Sequence, residues 1–180
     1  MSVQHHLLGI SGSLRKTATN RTLLAEAARL FNAATYTQAN LDLPLYNGDA
    51  EDASGIPATV QTLADQLAAA DAVIISTPEY NSALSGVLKN ALDWISRTDG
   101  NPWRDKPVAI MSAAAGRSGG ARALSSLRLC MAPFRSKIIP GPEILIAGSG
   151  KAFDDTGHLL NEHSIKSLTE LMQQLRAEIS

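Results

Sequence analysis

The chain has 180 residues, a 44% hydrophobic composition, a formal net charge of −1 and a single cysteine, Cys130. That length suits one domain with a self-sufficient core. The near-neutral charge argues against coating nucleic acid or an anionic membrane, which call for basic excess, although a local basic patch is compatible with it. One thiol cannot close an intrachain disulfide, so nothing points to an oxidising compartment. The opening Met1-Ser2-Val3-Gln4-His5-His6 lacks the basic and long apolar regions of a secretory leader. No apolar run reaches the ~20 residues that span a bilayer. The expectation is a soluble, cytoplasmic protein.

Apolar runs and helical patterns then alternate along the chain. Residues 7–10 predict a buried first strand, ended by the Gly/Ser turn Ser11-Gly12-Ser13. Leu23, Leu24, Ala27, Leu30 and Phe31 recur at helical spacing and predict a helix over 20–32. A second strand is expected over 35–43, leaving the sheet in a loop at 43–49. Pro57 is placed to open a helix that continues through Val60, Leu63, Leu67 and Ala70. Residues 72–76, Ala-Val-Ile-Ile-Ser, read as a strand buried on both faces, as in a parallel sheet.

A third helix is expected over 85–95, followed by a polar loop over 97–107 and a fourth strand over 108–111. The 116–120 run breaks that strand, and a helix follows over 121–131. The fifth strand, 138–146, is interrupted by Pro140 and Pro142, which favours an edge or a bend. A last helix covers 164–179. This alternation predicts a doubly wound α/β fold with a parallel sheet. Ligands of such sheets bind outside the carboxyl ends of the strands, where strand order reverses. The loops 11–20, 78–81 and 113–120 should therefore converge.

Each loop has a chemical reading and a plainer one. In Ser11-Gly12-Ser13-Leu14-Arg15-Lys16-Thr17-Ala18-Thr19-Asn20, Gly12 permits close backbone approach. Hydroxyls, an amide and Arg15 can reach a phosphate at a helix N-terminus. An ordinary turn with a solvated Arg-Lys pair is an equal alternative. The loop has neither Walker A spacing nor the full dinucleotide Gly-x-Gly-x-x-Gly. Pro78-Glu79-Tyr80-Asn81 offers backbone donors and an aromatic to a flat ring, or it is a capping turn before the third helix. The small residues of 113–120 admit a planar ligand, or they form a plain Gly-rich turn.

Cys130 and Arg135 have four residues between them rather than the five of a phosphatase loop, and Cys130 reads as a core residue. His5, His6, His158 and His163 have no metal-ligand spacing, so no metal is expected. Trp94 and Trp103 read as packing or subunit-contact residues.

Three blocks together resemble the NAD(P)H-dependent FMN reductase family, whose bacterial members include quinone and chromate reductases. They are Gly12-Ser13-Leu14-Arg15-Lys16 with Asn20, Pro78-Glu79-Tyr80-Asn81 with the run 85–94 to Asp93-Trp94, and Gly119-Gly120-Ala121-Arg122. The resemblance implies a flavodoxin-like, doubly wound, five-stranded parallel sheet of order 2-1-3-4-5 and noncovalent FMN. It places Ser13, Arg15 and Asn20 on the phosphate, Glu79, Tyr80 and Asn81 beside the isoalloxazine, and the 113–120 loop along the ring. The implied contact set is Ser11, Ser13, Leu14, Arg15, Thr19, Asn20, Pro78, Glu79, Tyr80, Asn81, Ala114, Ala115 and Gly116.

No side chain is implied as an acid–base catalyst, because the flavin carries the chemistry. Two positions depart from many relatives. Thr17-Ala18 stands where Gly-Ser is common, with Thr17 or Thr19 as replacement hydroxyls, and Ser82 stands where some relatives carry an aromatic. The implied activity is ping-pong transfer of a hydride from NADPH or NADH, through flavin N5, to a quinone, flavin, azo or nitro compound, or chromate. A flavodoxin-like electron carrier, or a reductase using FMN as a diffusible substrate, is the alternative. A homodimer or homotetramer is implied, with the helix after Asn81 at the subunit contact.

Overall fold

The computed structural model describes residues 5–179; Met1–Gln4, part of the opening segment read above for a leader, lie outside the described residues. In chain order the elements are β1 (His6–Ser11), α1 (Thr19–Phe31), β2 (Thr35–Gln38), α2 (Gly48–Ser54), α3 (Ala58–Ala69), β3 (Ala72–Ser76), α4 (Gly86–Ile95), β4 (Pro107–Ala113), α5 (Ala121–Met131), β5 (Lys137–Ile138), β6 (Ile144–Ile146) and α6 (Glu162–Ala177). The sheet runs β2-β1-β3-β4-β5, with β6 also on β4, and every pairing is parallel. The central register aligns Leu8 with Val73 and Val73 with Val108.

Strands β3 and β4 are buried along their whole length because helices cover both faces. Successive strand side chains point to opposite sides. On one face Leu8, Ile10, Val73, Ile75, Val108 and Ile110 meet apolar residues of α3, α4 and α5. On the other face Leu7, Ile74, Ala109 and Met111 meet Leu23, Leu24 and Phe31 of α1 and Leu168, Leu171 and Met172 of α6. Burying each such Leu or Ile is worth roughly 1.5–3 kcal/mol relative to leaving it exposed. Trp94 is buried, donates from its indole N–H to the Pro44 carbonyl at 2.7 Å, and meets Tyr46 edge-on. Trp103 is also buried, and Cys130 packs half-buried against the first core layer.

Three expectations change. The second strand stops at Gln38 instead of continuing to 43: after the Ala39 N–H bonds the Gly9 carbonyl, Leu41 turns into the core. Residues read as loop at 48–49 instead begin α2, capped by the Asn47 side chain accepting from the Asp49 N–H at 3.0 Å. That helix buries none of its residues, so it carries no apolar periodicity to read. The fifth strand of 138–146 is divided into β5 and β6, which pair successively with the start and end of β4. Pro140 and Pro142 have no N–H for a ladder, and the chain bends between them with a cis Gly141–Pro142 bond.

Candidate functional site

The loops that follow β1, β3, β4 and β6 enclose a cavity of about 510 Å³. The first contributes Ser13, Arg15, Thr17 and Ala18, with Thr19 and Asn20 from the start of α1. The second contributes Pro78, Glu79 and Tyr80, and the third the 113–116 run with Ser118. Ser149 and Gly150 complete the wall from a loop that sequence reasoning missed. Its signal was present: Ala147-Gly148-Ser149-Gly150 repeats the small, hydroxyl-bearing turn seen after β1. The volume is in the range of small-molecule sites.

A larger cavity of about 650 Å³ lies among α4, 101–104 and the end of α5. None of its walls follows a strand, so it is not where an α/β sheet places its ligand.

Three residues of the expected set do not line the cavity. The Ser11 hydroxyl is turned into the loop, where it accepts from the Ser13 N–H at 3.3 Å. Leu14 is 42% exposed, and Asn81 sits at the tip of a turn with φ of 49°.

The first loop ends in an open helix terminus. Ala18 is the N-cap of α1 and has no side chain that can cap it. By contrast Ser85 caps α4 and Asn161 caps α6 with side-chain oxygens. Ala at an N-cap is typically ~1 kcal/mol worse than Ser, Thr, Asn or Asp. Thr19 and Asn20, at the start of α1, line the cavity, and their N–H groups have no intrahelical acceptor. Such a terminus favours an anion through both its free N–H groups and its dipole. The loop is braced locally: the Arg15 N–H donates to the Ser13 hydroxyl at 3.3 Å, and the Thr19 hydroxyl donates to that of Ser149 at 3.1 Å.

The second loop is a tight hairpin. Tyr80 and Ala83 exchange two backbone hydrogen bonds of 3.1 Å across Asn81 and Ser82, both with positive φ. This is the pattern of a two-residue turn with both central residues left-handed, which Asn tolerates well. It leaves Tyr80 55% exposed at the cavity mouth. Glu79 serves another element: its carboxylate accepts the Arg122 N–H at 3.0 Å and lies 3.6 Å from the Arg122 guanidinium. The N-cap of α5 is Gly120, which has no side chain, so Glu79 supplies the cap from across the site. Gly120 is required there, since φ is 93° and a Cβ would fall 1.9 Å from the Ser112 hydroxyl. That hydroxyl in turn donates to the Thr77 carbonyl at 2.7 Å, tying the second and third loops together.

Hydroxyls, a guanidinium and an open helix end thus stand beside small and aromatic residues in one concavity. The set suits a ligand that has a phosphate at one end and a flat ring at the other, which is the chemistry of FMN. Among the described residues no three His, Cys, Asp or Glu side chains gather as a metal site, and no helix is long and apolar enough to cross a membrane.

Comparison with known proteins agrees with this chemistry. The profile of NADPH-dependent FMN reductases matches residues 6–151. An NAD(P)H-dependent FMN reductase of Pseudomonas aeruginosa is 40% identical over 178 residues, covering 98% of this chain and 96% of that protein. A quinone reductase of Escherichia coli K12 is 37% identical over 176 residues, 94% of this chain and 92% of that protein. Among solved structures, the flavoenzyme NAD(P)H:(acceptor) oxidoreductase FerB of Paracoccus denitrificans superposes with a TM-score of 0.86 at 30% identity, with 97% of each chain covered. The observed strand order and these likenesses identify a flavodoxin-like fold, and the chain belongs to the NADPH-dependent FMN reductase family, an oxidoreductase family whose membership implies FMN and a nicotinamide nucleotide.

Proposed function

We propose that this protein carries electrons in pairs from NADPH or NADH to a quinone, with donor and acceptor using the same open side of the cavity in alternation. The observation that carries the reading is the uncapped start of α1 at the wall of a cavity lined by Ser13, Arg15, Thr17 and Thr19. Bound FMN supplies the hydride-accepting chemistry. The chain binds and orients.

In this reading the Thr19 and Asn20 N–H groups, the hydroxyls of Ser13, Thr17 and Thr19, and Arg15 hold the phosphate. Pro78, Glu79 and Tyr80 border the ring. Ala114, Ala115 and Gly116 lie along it and exclude water without adding charge. Tyr80, half-exposed at the mouth, packs against whichever flat molecule enters. The Glu79 carboxylate is occupied by the start of α5, so it is not assigned a proton-transfer role.

A quinone acceptor is favoured because relatives covering most of this chain are quinone reductases of Escherichia coli and Pseudomonas putida and a 2-hydroxy-1,4-benzoquinone reductase of Burkholderia. A homodimer or homotetramer in the cytoplasm completes the proposal.

Anaerobic stopped flow on the FMN-loaded protein tests it. NADPH or NADH should bleach the visible flavin band in one phase, and benzoquinone should restore it in a second, separate phase. A band that neither nucleotide bleaches sinks the proposal.

A further inference from the structure

Asn20 lines the cavity yet is only 3% exposed. Its carboxamide oxygen accepts from the Ser76 hydroxyl at 2.7 Å and from the Ala113 N–H at 3.0 Å. Its amide nitrogen donates to the Ala113 carbonyl at 2.9 Å. Three of the four hydrogen-bonding positions of the side chain are thus used inside the protein.

The reason lies in the sheet. Strand β3 leaves it after Ser76: the Thr77 N–H makes the last rung, to the Met111 carbonyl, and Pro78 has no N–H with which to continue. Ala113, two residues further along β4, is left with a donor and an acceptor on the side that β3 has vacated. The Asn20 carboxamide takes both, as a peptide unit of the missing strand would.

We propose that the Asn20 side chain is a positioning group for the flavin rather than a ligand of its phosphate, whatever the backbone N–H of the same residue contributes there. One amide joins the start of α1, which holds the phosphate cradle, to Ser76, which leads into the Pro78–Tyr80 wall, and to Ala113, where the ring-flanking loop begins. The three walls are fixed relative to one another by this contact. The inference rests on the FMN reading above.

Riboflavin, which has the ring but no phosphate, separates the two roles. Dissociation constants for FMN and riboflavin would be measured by fluorescence quenching for the wild type, Asn20→Ala and Ser76→Ala. Ser76 does not line the cavity, so its variant tests the clamp alone, and it carries the test if Asn20→Ala does not fold. The expected result is at least a fivefold weakening of both flavins, with their ratio within twofold of the wild type and a shifted visible band for the bound ring. Two outcomes overturn the proposal. In one, FMN weakens tenfold while riboflavin is unchanged, which makes Asn20 a phosphate ligand. In the other, both affinities and the band stay put while only the melting temperature falls, which makes the clamp purely structural. If the wild type itself binds neither flavin, the FMN reading fails and this inference with it.

Discussion

Ala18 is a poor residue for its local task and a suitable one for the site. As the N-cap of α1 it leaves the helix terminus open, at a cost of about 1 kcal/mol relative to a good capping residue. The cost makes sense if an anion completes the helix. Ala18→Asp should therefore separate stability from function. In the absence of FMN the variant should be more stable by about 0.5–1 kcal/mol, because the carboxylate caps α1. Its FMN affinity should fall by more than about tenfold, because like charges meet in a confined site, where repulsion of about 1.4 kcal/mol already gives that factor. Thermal melts of the apoprotein and fluorescence titration with FMN check the two halves. Unchanged FMN affinity would place the phosphate elsewhere.

At the scale of elements, helix α5 depends on a residue that lies outside it. Gly120 is fixed by its positive φ and by the closeness of Ser112, so the helix cannot carry its own capping side chain at that position. Glu79 provides it from the loop after β3. Glu79→Ala should cost about 1 kcal/mol in chemical denaturation and speed FMN release, since the second and third loops lose a tether. Glu79→Gln keeps an oxygen acceptor for the Arg122 N–H and should restore most of both. Equal losses in the two variants would show that the charge opposite Arg122, rather than the cap, is what matters. The same scale explains where periodicity misled: α2 has no buried face to reveal it, and two prolines divide what reads as one fifth strand.

Across the whole molecule, Glu26 ties the first helix to the segment after β6. It is buried in α1, accepts from Arg29 at 2.7 and 2.9 Å, and sits 3.0 Å from the Nδ1 of His158. Burial alone would raise its pKa, but the hydrogen bonds from Arg29 and His158 outweigh that and hold it below the ordinary value of 4.5. The folded value being depressed, this group's contribution to stability is present above about pH 4.5 and is lost as pH falls through the folded value. Glu26→Gln should be less stable than the wild type by about 1–3 kcal/mol at neutral pH. Urea unfolding from pH 7 to pH 3 should show that gap closing on the acid side. A gap of constant size would mean that packing, and not the charge, holds Glu26 in place.

The sequence by itself determined the strand–helix alternation and the parallel sheet, because apolar runs buried on both faces and Gly/Ser turns at strand ends are written locally, and it showed the family through the resemblance of its three motif blocks. It also brought forward most of the cavity wall, from Ser13 to Gly116, since those residues follow strands whose carboxyl ends a doubly wound sheet puts on one side. Only the tertiary structure decided how the side chains are used. The Ser149–Gly150 wall comes from a loop 130 residues beyond Thr19, its hydrogen-bond partner. Asn20 turns inward because β3 ends two residues short of Ala113, and Glu79 caps a helix that begins some 40 positions later. Such partners are set by which strand ends lie side by side, and hydrogen bonds between distant segments leave no period in the chain.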